Sequence, residues 1–409
     1  MRSFSLSTVF RSVRGLRIAG FVAAAIAVFV IAAPDHAALA QATFDTKAKH
    51  AILLDFNTNT ILFEKNADER MPPASLAKMM TAHILFNELK KGTIKLTDTT
   101  TVSKDAWRKW NQRKGASMMW VSAGEKVSVE DLIRGIVIQS GNDACTVVAE
   151  MLAGSESHFA DWMNDEAKKI GMTNTHYTNA SGWPNPDEYT TAHDLVKLAA
   201  YTIRQTPAYY HFYSEKSFTY GKSLDGKPIT QPNRNPLLFN TPGADGLKTG
   251  HTEQAGYGLA GSAIRDGRRL IEVMAGMHSV AERASEGQAL MEWGFRNFKD
   301  YKLLTAGQKI ENARVWLGDA PGVDLIAPKD LTVSMSRSAR RNMKVTLEYN
   351  SPIPAPIAKG QQIATLKVQA PDYKTMDVPL IAGDNVGQLG FLGRVGAALH
   401  YLVMGRSSL

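Results

Sequence analysis

The chain has 409 residues, 44% hydrophobic and 21% charged, the balance of an ordinary globular protein long enough for two or three domains and a sizeable core. A single cysteine, Cys145, excludes an intrachain disulfide and a Cys-based metal cluster, and its apolar setting reads as buried packing. The formal charge is +8, yet Arg2, Arg11, Arg14 and Arg17 carry half of that, and no basic run with interleaved aromatics occurs. This argues against nucleic acid as a partner and leaves open a weak attraction to anionic membranes or wall polymers.

Those four arginines precede an apolar run from Ile18 to Ala33, followed by Ala38-Leu39-Ala40 and Ala40-Gln41-Ala42. Positive start, short apolar stretch and small-residue cleavage sites predict a secretory signal peptide over residues 1–42, the alternative being a retained transmembrane helix. Export does not demand disulfides, since a domain this large buries enough core without them. Ala51 to Phe56 and Ile61 to Lys65, separated by Asn57-Thr58-Asn59-Thr60, predict a β-hairpin.

The hairpin leads into Pro73-Ala74-Ser75-Leu76-Ala77-Lys78, where a proline-marked loop enters a helix predicted to run to Lys91, with Gly92 as its stop. Ser75 and Lys78 stand one turn apart, so an amine kept neutral by burial can take the serine's proton. Near a helix start, the serine's backbone N–H also offers half of an oxyanion hole. A capping serine with a solvated lysine is the alternative, because Ser-x-x-Lys arises by chance on the order of once or twice in a chain this long. Leu76, Met80, Ile84, Leu85 and Leu89 recur at helical spacing, and nearly every position to Leu85 is apolar or small, which predicts a central buried helix. His83 in that stripe reads as a hydrogen-bonded core histidine.

Trp107, Trp110 and Trp120 fall in a polar and aromatic stretch and are assigned to packing. Ser128 to Ile138 predicts a helix capped by Ser128, ending at Ser140-Gly141-Asn142 before a second helix from about Asp143. A Ser-x-Asn turn between helices offers a hydroxyl to relay a proton and an amide to hold a substrate carbonyl, or is simply a turn chosen for Gly141. Residues 155–240 mix helix and loop, with a long turn at Gly182-Trp183-Pro184-Asn185-Pro186 and a helix from Asp194 to Arg204. Three strands follow, Gly246 to Gly250, Tyr257 to Ile264 and Arg268 to Met277, the last two joined by Asp266-Gly267. In Lys248-Thr249-Gly250 the ammonium and hydroxyl can hold an anionic group, and the bare glycine admits a substrate chain. A helix is predicted from about Ala281 to Phe298. Beyond residue 300 come short alternating runs, Leu331 to Met335, Lys344 to Tyr349, Ile363 to Val368 and Met376 to Leu380, with no helix signal between them. These predict a small all-β domain. Leu389 to Met404 gathers Phe391, Leu392, Val395, Leu399, Leu402 and Val403 on one side, as in a helix lying in a membrane interface or docked on its own domain.

Ser75-x-x-Lys78, Ser140-Gly141-Asn142 and Lys248-Thr249-Gly250 occur in this order on helix, turn and strand. With them the chain resembles the low-molecular-mass penicillin-binding proteins, specifically the D-alanyl-D-alanine carboxypeptidases of the penicillin-binding protein 5 and 6 type (peptidase family S11). The resemblance implies an α/β (α+β) β-lactamase/transpeptidase-like catalytic domain over 43–299, its antiparallel sheet flanked by helices, then a small β-rich domain over 300–383 and an amphipathic anchoring helix over 384–409. It implies Ser75 as acylated nucleophile, Lys78 as its base and Ser140 as a third catalytic group. Asn142, Lys248, Thr249 and Gly250 would bind substrate, with the second oxyanion N–H on His251 and the substrate's terminal carboxylate near Arg283. Arg234, in Asn233-Arg234-Asn235, also resembles a cleft segment of the family, or serves as an ion-pair partner.

The implied substrates are peptidoglycan stem peptides ending in D-Ala-D-Ala, with β-lactams as covalent inhibitors and no metal or cofactor. The implied location is periplasmic, at the outer face of the inner membrane. A β-lactamase reading would need a Glu-x-x-x-Asn between the second and third motifs, and Glu150, Glu156, Glu166, Glu188 and Glu215 all lack the asparagine. A non-catalytic wall-binding scaffold would not need Lys78 or Ser140.

Overall fold

The computed structural model describes residues 4–5, 44–223, 225–371 and 373–396. The expected signal peptide therefore lies almost wholly outside the described residues. Two compact units divide the chain, Phe44–Phe298 and one that begins at Lys299.

In the first unit, β1 (His50–Asp55) and β2 (Thr60–Lys65) form the predicted hairpin, and a 3-10 turn over Ala74–Ala77 then runs into α1 (Lys78–Lys91). Gly92 closes α1 at φ 75°, a left-handed position suited to glycine, and its N–H reaches the carbonyls of Glu88 and Leu89. Helix α1 is buried along most of its length because α3 (Val129–Val137), α4 (Asn142–Ala153), α5 (Glu156–Ile170) and α6 (Ala192–Gln205) pack around it. Burying Ile84, Leu85, Phe86 and Leu89 contributes about 1.5–3 kcal/mol each. His83 is enclosed in this core as predicted, bonded to Thr202 at 2.9 Å and Glu166 at 3.2 Å. Cys145 is buried there too, and burial pushes its thiol up to about 12.

Behind α1 lies a five-stranded antiparallel sheet in the order β2-β1-β7-β6-β5, where β5 is Ala244–Thr252, β6 Gly256–Arg265 and β7 Arg268–Met277. Asp266 and Gly267 both take positive φ, the backbone a two-residue hairpin requires. The helix α7 (Val280–Asn297) starts at Ser279, whose side chain accepts from the Glu282 N–H, and it stops one residue earlier than predicted because Phe298 opens a strand.

Some elements escaped the sequence reading. Helices α2 (Lys104–Asn111) and α5 carry serine caps at Ser103 and Ser155, and β3 (Ser217–Lys222) pairs with β4 (Pro228–Pro232). Of the three tryptophans assigned to packing, only Trp110 is buried, its indole N–H donating to Thr146 Oγ1 at 2.8 Å. Trp107 and Trp120 are 36% and 46% exposed, so neither belongs to the core.

The second unit is β-rich and contains the four predicted strands, as Leu331–Ser336, Lys344–Glu348, Gln362–Gln369 and Met376–Ala382. Lys309–Trp316 and Gly322–Ile326 pair with each other and extend the sheet, and Phe298–Leu304 pairs with Leu331–Ser336. The expectation of no helix here is corrected by a short one, Arg337–Arg341, which Ser336 caps by accepting the Ala339 N–H at 3.1 Å. The boundary expected at 384 is also corrected. Val386 is buried and pairs with Ile357, and the Leu389 N–H donates to Leu317 O at 2.9 Å, so the β-unit reaches Leu389. Phe391, Leu392 and Val395 are exposed on a helical stretch over 391–396, while Leu399, Leu402 and Val403 lie outside the described residues. No helix among the described residues is long and apolar enough to cross a membrane.

Candidate active site

Ala74, at φ 48°, turns the chain sharply after Pro73, so the 3-10 turn delivers a half-buried Ser75 one turn ahead of a fully buried Lys78. The Lys78 ammonium lies 2.9 Å from Ser75 Oγ, 2.8 Å from Asn142 Oδ1 and 2.6 Å from the Ser181 carbonyl. The last two are acceptors only, so they claim two N–H bonds. In the neutral amine the lone pair is then left facing the Ser75 hydroxyl. Burial pushes the Lys78 pKa down, with Arg234 adding to the effect, as a base at neutral pH requires.

The second motif sits in the turn between α3 and α4. Ser140 holds φ 62°, an uncommon conformation for a residue with a side chain, and a Cβ on Gly141 would stand 2.8 Å from Asp143 Oδ1 and 3.0 Å from Met119 N. Asp143 explains the close approach: its buried carboxylate accepts the N–H groups of Met119, Trp120, Val121 and Ala144 at 2.8–3.3 Å. The segment 117–121 is thereby held against the turn, with Asn142 N donating to Ser117 O at 2.9 Å. Asn142 was expected to hold a substrate carbonyl. Its Oδ1 accepts from Lys78, which leaves the Nδ2 donor free for that purpose.

Strand β5 forms one edge of the five-stranded sheet and carries the third motif. Lys248 Nζ donates to Ser140 Oγ at 3.0 Å and to Thr249 O at 2.9 Å, and burial together with Lys78 and Arg234 holds its pKa well below an ordinary lysine's. A Cβ on Gly250 would stand 3.3 Å from Ser75 N, so the glycine lets the strand lie directly against the Ser75 backbone. His251 follows, exposed and stacked on Tyr257 with ring centroids 4.0 Å apart. Arg283 on α7 is buried, with its Nε lacking a partner and Nη2 donating to Arg234 O at 3.4 Å. Arg234 makes no ion pair among the described residues and donates to Ser117 Oγ at 2.5 Å, which removes the ion-pair alternative. Burial of Arg283 and partial desolvation of the more exposed Arg234 lower the pKa of both guanidiniums, which stay charged. Ser75, Lys78 and Asn142 thus form one hydrogen-bonded group and Ser140 and Lys248 a second, joined by the turn Ser140-Gly141-Asn142, and Lys248 with two arginines concentrates positive charge there.

The sequence reading missed Ser117, Asp143 and Ser181. Asp143 stood next to the second motif and was the one within reach, as a carboxylate in the first turn of a buried helix.

An antiparallel sheet flanked by helices, a Ser–Lys pair at the foot of a buried helix and a lysine on the sheet edge define a serine acyl-transferase of the β-lactamase/transpeptidase architecture. The chain belongs to the peptidase S11 family of D-alanyl-D-alanine carboxypeptidases, serine-type hydrolases, whose profile matches residues 36–279. The penicillin-binding protein 5 C-terminal domain matches residues 298–388. The D-alanyl-D-alanine carboxypeptidase DacC of Escherichia coli is 40% identical over 85% of this chain and 86% of its own, and DacA of the same organism 37% identical over the same shares. Penicillin-binding protein 5 of Haemophilus influenzae superposes with a TM-score of 0.73 at 37% identity, over 85% of this chain and 99% of that one. The carboxypeptidase DacD of Francisella tularensis gives 0.75 at 32% identity, over 85% and 95%.

Proposed function

We propose that this chain removes the terminal D-alanine from peptidoglycan stem peptides through an acyl-enzyme on Ser75. The observation that carries the reading is the Lys78 amine, buried 2.9 Å from Ser75 Oγ with two pure acceptors fixing its other positions. Ser75 Oγ attacks the carbonyl of the D-Ala-D-Ala bond while its proton passes to Lys78. The oxyanion is held by the N–H groups of Ser75 and His251, which the approach of Gly250 to Ser75 brings into one region. Ser140, bonded to Lys248, is the route by which a proton reaches the departing amine. Lys248, Thr249 and Arg283 take the terminal carboxylate, and Asn142 Nδ2 the substrate amide. Water then hydrolyses the ester. A β-lactam follows the first half of this path and stays attached.

The basic, apolar start of the chain supports export to the periplasm, and exposed Phe391, Leu392 and Val395 support attachment of the C-terminal segment to the outer face of the inner membrane.

The purified domain should release D-alanine from a peptide ending in D-Ala-D-Ala and take up penicillin covalently, and Ser75→Ala should lose both with its fold intact. Covalent labelling that survives in Ser75→Ala places the nucleophile elsewhere. Return of the penicillin adduct to unmodified mass at β-lactamase rates would favour that class instead.

A further inference from the structure

Lys78 donates to the Ser181 carbonyl, and that carbonyl is held by a network nothing in the mechanism above uses. Asn179 Oδ1 accepts three hydrogen bonds, from Ser181 N, Ser181 Oγ and Trp183 N, each at 3.0 Å. Its Nδ2 donates to Trp183 O at 2.9 Å and to Glu188 Oε2 at 3.0 Å. Glu188 is buried, and its Oε1 has no hydrogen-bond partner. The loop that bears it is strapped to the segment that delivers the nucleophile: Thr190 and Met71 exchange both backbone hydrogen bonds, at 2.8 and 2.9 Å.

A buried carboxyl with one oxygen unpaired is costly as an anion and tolerable as an acid. Burial raises the Glu188 carboxyl to about 8, opposed by the hydrogen bonds from Asn179 and the Thr178 N–H and then by Lys78, with Glu156 assisting. The groups that face it are Lys78 from α1, Glu156 from the first turn of α5, itself paired with Lys109, and the buried Tyr177 phenol. Lys78 is therefore the cation whose charge answers to Glu188.

We propose that Glu188 is a positioning residue for Lys78: through Asn179 it aims the Ser181 carbonyl at the amine, and its own proton decides how readily that amine stays neutral. The proposal rests on the reading of Lys78 as the base. With one proton between the two groups, neutral Lys78 beside protonated Glu188 is competent to accept the Ser75 proton, whereas the ammonium–carboxylate pair is not. Acylation in the wild type thus rises with pH through two coupled ionisations.

Glu188→Gln keeps the shape and the acceptor for Asn179 but cannot ionise, which removes the incompetent pair. The rate of penicillin acylation against pH should then show a single ionisation, moved to lower pH by about one unit. A uniform loss of rate with the limb unmoved, or a profile identical to the wild type, overturns the proposal. Infrared difference spectra of wild type minus Glu188→Gln should show a protonated-carboxyl band at pH 6 that gives way to carboxylate bands by pH 10. Carboxylate bands alone across that range also overturn it. Lys78→Ala separates the two readings, since penicillin labelling that survives there refutes Lys78 as base whatever Glu188 does.

Discussion

A Cβ on Gly182 would stand 1.8 Å from the carbonyl oxygen of Ala74 and 3.0 Å from Ala77 Cβ, and Gly182 itself holds φ +72°. The loop that offers Ser181 to Lys78 thus reaches the serine-bearing turn only because this residue is glycine. Gly182→Ala should push the loop away, strip Lys78 of one acceptor and slow penicillin acylation at least about tenfold, with about 2 kcal/mol or more of stability lost. Labelling rates and thermal melts check it together. Wild-type values in both would mean the loop has room to spare.

As the proposed base, Lys78 should make opposite contributions to activity and stability. Its pKa is lowered in the folded chain, so between that value and the ordinary lysine range the unfolded chain binds more protons, and stability rises with pH across the window. Lys78→Met should accordingly be more stable than the wild type at pH 7 and lose that advantage above the pH at which exposed lysines titrate. The same substitution should cut acylation at least about 100-fold. Melts at pH 7 and pH 11 beside labelling at pH 7 measure both. A less stable Lys78→Met at neutral pH would mean that the three hydrogen bonds outweigh desolvation.

What could be read from the chain alone was whatever is carried by local spacing. The i to i+3 interval of Ser75 and Lys78, the Ser128 cap, the Gly92 stop and the Asp266-Gly267 turn each express a physical rule within a few residues, and each element appears where expected. The direction of Asn142 was not legible, because Oδ1 and Nδ2 are interchangeable until Lys78 arrives from 64 residues away. Ser181 entered through its backbone carbonyl, which no side-chain motif marks. Helix α5 had its signals, Ser155 at one end and Gly171 at the other, but its inward face is only Phe159, Ala160, Met163 and Ala167, too sparse a stripe to stand out. Trp120 was read by residue type, which favours packing, while its φ of 72° and the Asp143 carboxylate at its N–H turn the ring outward.

The tail is testable once the β-unit's end is respected. Val386 to Leu389 are hydrogen-bonded into that unit, so a cut belongs after Gly390. Removing everything beyond it should leave an active enzyme that no longer sediments with membranes, whereas high salt should release little of the full-length protein, since apolar contact outweighs charge. Burial of a Leu or Phe contributes about 1.5–3 kcal/mol. Truncated protein that still sediments, or that melts lower, would show that the segment packs on its own domain.

Glu272 lies at the centre of β7 with both carboxylate oxygens buried and unpaired. Two glycines make room for it: a Cβ on Gly261 would stand 3.0 Å from its Oε1, and one on Gly287 of α7 the same distance from the same atom. Leu237 and Leu259 pack against those glycines, and burial alone raises the carboxyl well above its usual range. Folding therefore takes up a proton, and stability falls as pH rises from the ordinary carboxylate range toward the raised value. Glu272→Gln keeps the volume and removes the ionisation, so it should melt higher than the wild type at pH 8 and converge with it near pH 4. Each kcal/mol so recovered is worth about 2–4 °C in a domain this size. Melting curves at the two pH values decide it: a gap that is absent at pH 8, or equal at both, would mean that Glu272 is ionised and paired in the native protein.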